Sequence, residues 1–133
     1  MVIKLDIDKK YWTSFDKWLR HFESMYSLLR IKNTLVDISN TEVFRTKNGW
    51  HIYIYDMDLF FLYNNEVNLL ECLLGSDLFK QGYYFLEGHD ILFRSKNGRK
   101  EKFDKVNQGK LNKAVKEINA KNRKQLYVYM KTF

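Results

Sequence analysis

EVFRTKNGWHIYIYD, residues 42–56, decides how this chain is read. Two runs rich in β-branched and aromatic residues flank Asn48-Gly49, the preferred pair for a two-residue type I′ hairpin. Counting outward from that turn pairs Lys47 with Trp50, Thr46 with His51 and Phe44 with Tyr53. Side chains alternate along a strand. Val43, Trp50, Ile52 and Ile54 therefore share one face, with Arg45 and Lys47 nearer the turn, while Phe44, Thr46, His51, Tyr53 and Tyr55 share the other. The first set is the more apolar and is expected to meet the helices.

Outward from the hairpin, VIKLDI (2–7) alternates with Ile3, Leu5 and Ile7 on one side and predicts a strand. Asp8 can cap a helix over 9–31, where Tyr11, Phe15, Trp18, Phe22, Tyr26 and Leu29 recur at three- and four-residue steps. LVDIS (35–39) predicts a short strand. NNEVNLLECLLG (64–75) predicts a helix stopped by Gly75, followed by a loop over 75–82. YYFLE (83–87) and DILFRS (90–95) read as a second hairpin, and EKFDKV (101–106) as a further strand. A basic helix is expected near 109–121, with QLYVYMKTF closing the chain as a strand. Helices scattered among hairpins predict a single α+β domain over 1–133, a mainly antiparallel sheet with helices packed on one side. The expected topology is a ferredoxin-like or RRM-like core with additions.

Composition narrows the function classes. Hydrophobic residues make up 45% and aromatics 17% of 133 residues, which excludes intrinsic disorder. Cys72 is the single cysteine, so neither an intramolecular disulfide nor a cysteine-rich zinc site can form. In LLECLLG it reads as a buried, inert thiol suited to a reducing cytoplasm. No run approaches the roughly 18 apolar residues of a membrane span, so a soluble, cytoplasmic protein without a membrane partner is expected. Absent proline, with abundant Lys, Asn, Tyr, Phe and Ile, matches AT-rich coding.

Charge is unevenly placed. Residues 1–93 hold 10 Lys and Arg against 13 Asp and Glu, whereas residues 94–133 hold 13 against 3. That contrast points to a polyanion-facing side. Arg94, Lys96, Arg99, Lys100 and Lys102 cluster around a KNG turn; Lys110, Lys113, Lys116, Lys121, Arg123 and Lys124 follow on and after the last helix. Spacing of this kind suits phosphates along a nucleic-acid backbone. Tyr53, Tyr55, Tyr127 and Tyr129 could stack on unpaired bases, favouring single strands.

The three histidines form no H-x-x-x-H or H-E-x-x-H pair for zinc, and no phosphate-binding glycine loop is present. What remains is His51 with Asp37, and with Asp56 and Asp58 at the exit of its strand. Carboxylates clustered in this way can hold divalent cations that bridge nucleotide phosphates. Residues 46–54, TKNGWHIYI, resemble the glycine-x-histidine strand of the archaeo-eukaryotic primase superfamily. The resemblance covers residues 35–55. It implies that His51 contacts a nucleotide phosphate and that Asp37 is the first carboxylate of a Mg²⁺ or Mn²⁺ site. Ser39 departs from the pattern where the second carboxylate belongs; with the AT-rich composition, the resemblance implies a small, degenerate relative of viral or plasmid origin. Three expectations result: a nucleic-acid-binding protein, a primase-like nucleotidyl-transfer enzyme with His51 and Asp37 in its site, and an interaction protein that forms a homodimer.

Overall fold

Ile3, Leu5 and Ile7 are fully buried along strand β1 (Ile3–Asp8), and the residues between them are partly exposed, as alternation requires. The computed structural model describes residues 2–32, 38, 40–55, 64–87 and 101–131. Asp8 ends β1 and caps the one-turn helix α1 (Lys9–Trp12), its Oδ1 accepting from Lys10 N–H at 2.9 Å. The predicted single helix over 9–31 is broken. Thr13 adopts φ 62° and Ser14 starts α2 (Phe15–Lys32), its Oγ accepting from Lys17 N–H at 3.2 Å. The break suits two residues that favour caps over helix interiors.

Strands β2 (Asn40–Thr46) and β3 (Gly49–Tyr55) form the expected hairpin in a different register. Thr46 pairs with Gly49, Arg45 with Trp50 and Phe44 with His51, so the two-residue loop is Lys47-Asn48. Gly49 belongs to the strand because β1 passes directly over it, opposite Asp8. A Cβ built there would lie 1.8 Å from the Ile7 carbonyl oxygen. The pairing sum changes by two residues, which preserves parity. The predicted partition into two faces therefore stands although the predicted pairs do not.

Among the described residues the sheet is four-stranded and antiparallel in order β1-β3-β2-β4, with β4 reduced to Lys102–Phe103. In β1-β3-β2 the third strand lies between two parallel ones, the split β-α-β arrangement, and β4 adds at the outer edge of β2. The strand expected over 101–106 stops at Asp104, which caps α5 (Lys105–Lys131) by accepting from Asn107 N–H at 3.1 Å. The terminal strand expected over 125–133 is instead helical through Lys131. Alternating Val and Tyr over a few residues is a weak signal beside continuation of a formed helix. Likewise, 78–87, expected as loop and strand, is one helix, α4 (Leu78–Glu87), following α3 (Asn64–Leu73). DILFRS and most of LVDIS lie outside the described residues.

The core lies on the Ile3–Leu5–Ile7 face. Trp18, Phe22 and Tyr26 stack along α2 with ring centroids 5.2 and 5.6 Å apart. Leu111, Ala114 and Val115 close the layer from α5. Tyr26 ties the two helices together, donating its hydroxyl proton to Asn119 Oδ1 at 2.6 Å.

Side chains cover β1 at its free edge and β2 where it extends past the short β4, which occupies hydrogen-bonding groups that would otherwise invite edge pairing. On β2, Val43 N–H donates to Gln108 Oε1 at 2.6 Å, and Gln108 Nε2 donates to the Thr41 carbonyl at 2.8 Å. On β1, Lys4 N–H donates to Glu71 Oε2 at 2.8 Å and its carbonyl accepts from Lys80 Nζ at 2.9 Å. Asp6 N–H meets Ser76 Oγ at 3.0 Å, and the Asp6 carbonyl accepts from Asp77 N–H at 2.7 Å. Glu71 and Lys80 pair at 3.1 Å with side chains 0% and 4% exposed, so a buried ion pair substitutes for a fifth strand.

Asp104 also joins the hairpin to α5: Trp50 Nε1 and Asn107 Nδ2 donate to its Oδ2 at 3.1 and 2.7 Å, with the Arg45 guanidinium 3.7 Å away. Burial pushes its carboxyl pKa up, but the Asn107 and Trp50 hydrogen bonds and Arg45 outweigh burial and leave it lowered. A lowered folded pKa gives stability that is present above the unfolded value and is lost as pH falls through the folded one. Asp104→Ala is expected to cost about 1–2 kcal/mol at neutral pH, the range for losing a helix cap. The deficit should shrink below about pH 4, which urea denaturation at neutral and acid pH would measure.

Candidate functional site

His51 occupies the sheet face opposite the core, flanked by Asp6 on β1 and Phe44 on β2. Its imidazole is held between two carboxylates. Glu101 Oε1, just ahead of β4, lies 2.5 Å from Nδ1 and also accepts from the Tyr53 hydroxyl at 2.8 Å. Asp6 Oδ1 lies 3.6 Å from Nε2, an ion-pair distance rather than a hydrogen bond. The His51 and Glu101 side chains are 13% and 12% exposed. Phe44 seals one side, with ring centroids 5.6 Å from Tyr53 and 6.0 Å from Phe103.

Burial pushes the Asp6 carboxyl pKa up; His51 opposes that shift and Asp77 and Asp8 reinforce it. The cluster is therefore an imidazole held between two carboxylates that differ in exposure, Asp6 being the more open of the two. Both ring nitrogens face protein carboxylates, so an incoming phosphate would have to compete with two anions for this histidine. Nitrogens on opposite sides of one ring also cannot direct Asp6 and Glu101 to a common centre. Among the described residues no group of three or more His, Cys, Asp and Glu side chains is arranged to hold a metal ion.

Several expected site residues lie elsewhere. Asp37, with Ser39, Asp56 and Asp58, lies outside the described residues, as do Arg94, Lys96, Arg99 and Lys100. Tyr53 is 2% exposed and its hydroxyl is spent on Glu101, so it cannot serve as a base-stacking platform. This corrects its expected place in a binding surface: the Tyr53 ring is buried on that face and its hydroxyl donates to Glu101. Tyr55 is partly exposed and stacks on Tyr53 at 6.4 Å. The more open ring on this face is Phe103. Lys102, Lys110, Lys113, Lys116, Lys121 and Lys124 are all exposed, and Arg123, Tyr127 and Tyr129 fall within α5.

Asp6 and Glu101 are the residues that sequence reasoning missed. Alternation in VIKLDI does place Asp6 off the core face, so placing β1 beside β3 would have revealed it. Nothing local marks Glu101, which is 50 residues from its partner.

Away from His51, a concavity of about 310 Å³ is lined by Asp8, Tyr11, Trp12, His21, Cys72 and Leu78, among others. Ring nitrogens from α1 and α2 meet the carbonyls at the C-terminal end of α3. Trp12 Nε1 donates to Gly75 O, Trp18 Nε1 to Leu74 O, and His21 Nε2 lies 2.7 Å from Leu73 O. Gly75 at φ 94° completes the helix stop, with Ser76 N–H bonded to Glu71 O. Burial, then Glu71, raises the Cys72 thiol pKa, which keeps it a poor nucleophile at neutral pH. No helix among the described residues is long and apolar enough to cross a membrane.

No protein-family model, curated protein or solved structure matches this chain.

Proposed function

We propose that this protein binds the phosphate backbone of nucleic acid through the outward arc of α5. One observation carries the reading. α5 buries Gln108, Leu111, Val115 and Asn119, while Lys113, Lys116, Lys121 and Lys124 are exposed and ion-paired to no described residue. Lys110 on the same helix meets Asp16 at 2.9 Å, a surface pair weak enough to exchange for phosphate. Glu117 is the one acidic residue in α5. From Lys113 to Lys124 the helix rises roughly 16 Å, about the length of five phosphates along one strand of a duplex.

Contacts of this kind read charge spacing rather than bases, so binding is expected to depend strongly on salt and weakly on sequence. Fluorescence anisotropy with labelled single-stranded DNA, single-stranded RNA and duplex, titrated across salt, tests this. Changing Lys113, Lys116, Lys121 and Lys124 together to glutamine should reduce the log–log salt slope by about 3 units. Lys47→Gln, on the hairpin loop, should leave the slope unchanged. Failure of all three nucleic acids to bind at low salt, or an unaltered slope in the quadruple variant, would remove this function.

A further inference from the structure

Helix α4 is inverted relative to an ordinary surface helix. Lys80, Gln81 and Tyr84 point inward and are buried, while Leu78 (71% exposed), Phe79 (73%), Phe85 (73%) and Leu86 (78%) point outward. The helix cannot roll to bury that stripe, because Lys80 is held in the buried pair with Glu71 and on the Lys4 carbonyl. Gly82 lies in the middle of the stripe, and a Cβ built there meets nothing within 4 Å. A glycine inside a helix costs about 1 kcal/mol relative to alanine, yet no neighbour among the described residues requires one at this position.

The stripe is also symmetric in sequence. Leu78 and Leu86 stand four residues either side of Gly82, and Phe79 and Phe85 stand three either side: LFKQGYYFL. A two-fold axis through Gly82 would set two antiparallel copies of α4 with Leu78 against Leu86 and Phe79 against Phe85. The missing side chains of both glycines would lie at the crossing, where close backbone approach needs them absent. Self-complementarity of this form is the requirement of an isologous contact.

We propose that a second copy of this chain covers α4, with the two-fold axis at Gly82. The four outward side chains offer roughly 500–600 Å² of apolar surface per copy, so the pair reaches about 1,100 Å², where specific interfaces begin. A contact at the low end of that scale is expected to form reversibly with concentration. An anionic membrane is the other occupant for an aromatic stripe, but such helices carry lysine or arginine on the opposite face, exposed to solvent. Here the opposite face is buried.

Sedimentation velocity on the full chain from about one to several hundred micromolar should show a monomer–dimer equilibrium. Phe85→Glu should weaken it at least ~30-fold, as loss of a central anchor does, with an unchanged far-UV circular dichroism spectrum because Phe85 is largely exposed. Gly82→Cys should form a disulfide-linked dimer under mild oxidation at least ~10-fold faster than Leu28→Cys, an exposed position on α2. Leu78→Cys and Leu86→Cys should cross-link well when mixed and poorly alone. A monomer throughout, equal cross-linking at positions 82 and 28, or association only with anionic vesicles would overturn the proposal.

Discussion

Gly49→Ala is expected to lower the melting temperature by about 10 °C or more, corresponding to at least ~3 kcal/mol in a domain of this size. The added Cβ would lie 1.8 Å from Ile7 O, 2.9 Å from Ile7 C and 3.2 Å from Asp8 Cα. All three are backbone atoms of β1, so no side chain can rotate away. Relief requires β1 to shift from β3 at the end where Asp6 faces His51. Thermal unfolding by circular dichroism measures the stability loss, and the His51 ring-proton shifts report whether the Asp6 contact moves with it. A loss near 1 kcal/mol, the scale of a backbone propensity effect, would show that Gly49 serves the turn rather than the strand crossing.

Lys80→Met is the second large effect. It leaves the Glu71 carboxylate fully buried without its cation and deprives the Lys4 carbonyl of its donor. Breaking a buried pair from one side costs about 3–5 kcal/mol. Buried pairs can often be replaced outright by apolar residues at little cost, but this one also terminates a strand edge. Glu71→Leu together with Lys80→Met should therefore remain destabilised, because Lys4 N–H and C=O lose both partners. Glu71→Gln with Lys80→Met should recover part of the loss, since the amide oxygen still accepts from Lys4 N–H and no charge is stranded. Urea denaturation of the three variants separates these terms. Equal stability of the apolar double variant and the parent would show that the strand edge is satisfied by other means.

Particular elements show where sequence reasoning succeeds and why it stops. The β2–β3 hairpin and its two faces were legible, because alternation depends only on parity and tolerates the misplacement of the turn. The turn itself was misread: Asn48-Gly49 has the composition of a type I′ turn, but Gly49 answers to β1, whose proximity no local pattern reveals. α4 was missed because YYFLE has the aromatic content of a strand and because its apolar side faces solvent. The residues that anchor it, Lys80 and Gln81, look like surface positions until Glu71 and Asn68 are placed beside them. In the candidate site, His51 was found by its setting, whereas Asp6 and Glu101 depend on strand order and on a contact 50 residues away.

By itself, the sequence determined the α+β class, the core-facing residues of β1, β2, β3 and α2, and the concentration of positive charge toward the C-terminus. These follow from periodicity and composition, which are properties of neighbouring residues. Tertiary structure alone decided which carboxylates hold His51, why position 49 must be glycine, and that the apolar side of α4 points outward. Each of these is set by what a distant segment brings within a few ångströms, where a backbone atom, a buried charge or an unpaired carbonyl overrides local preference.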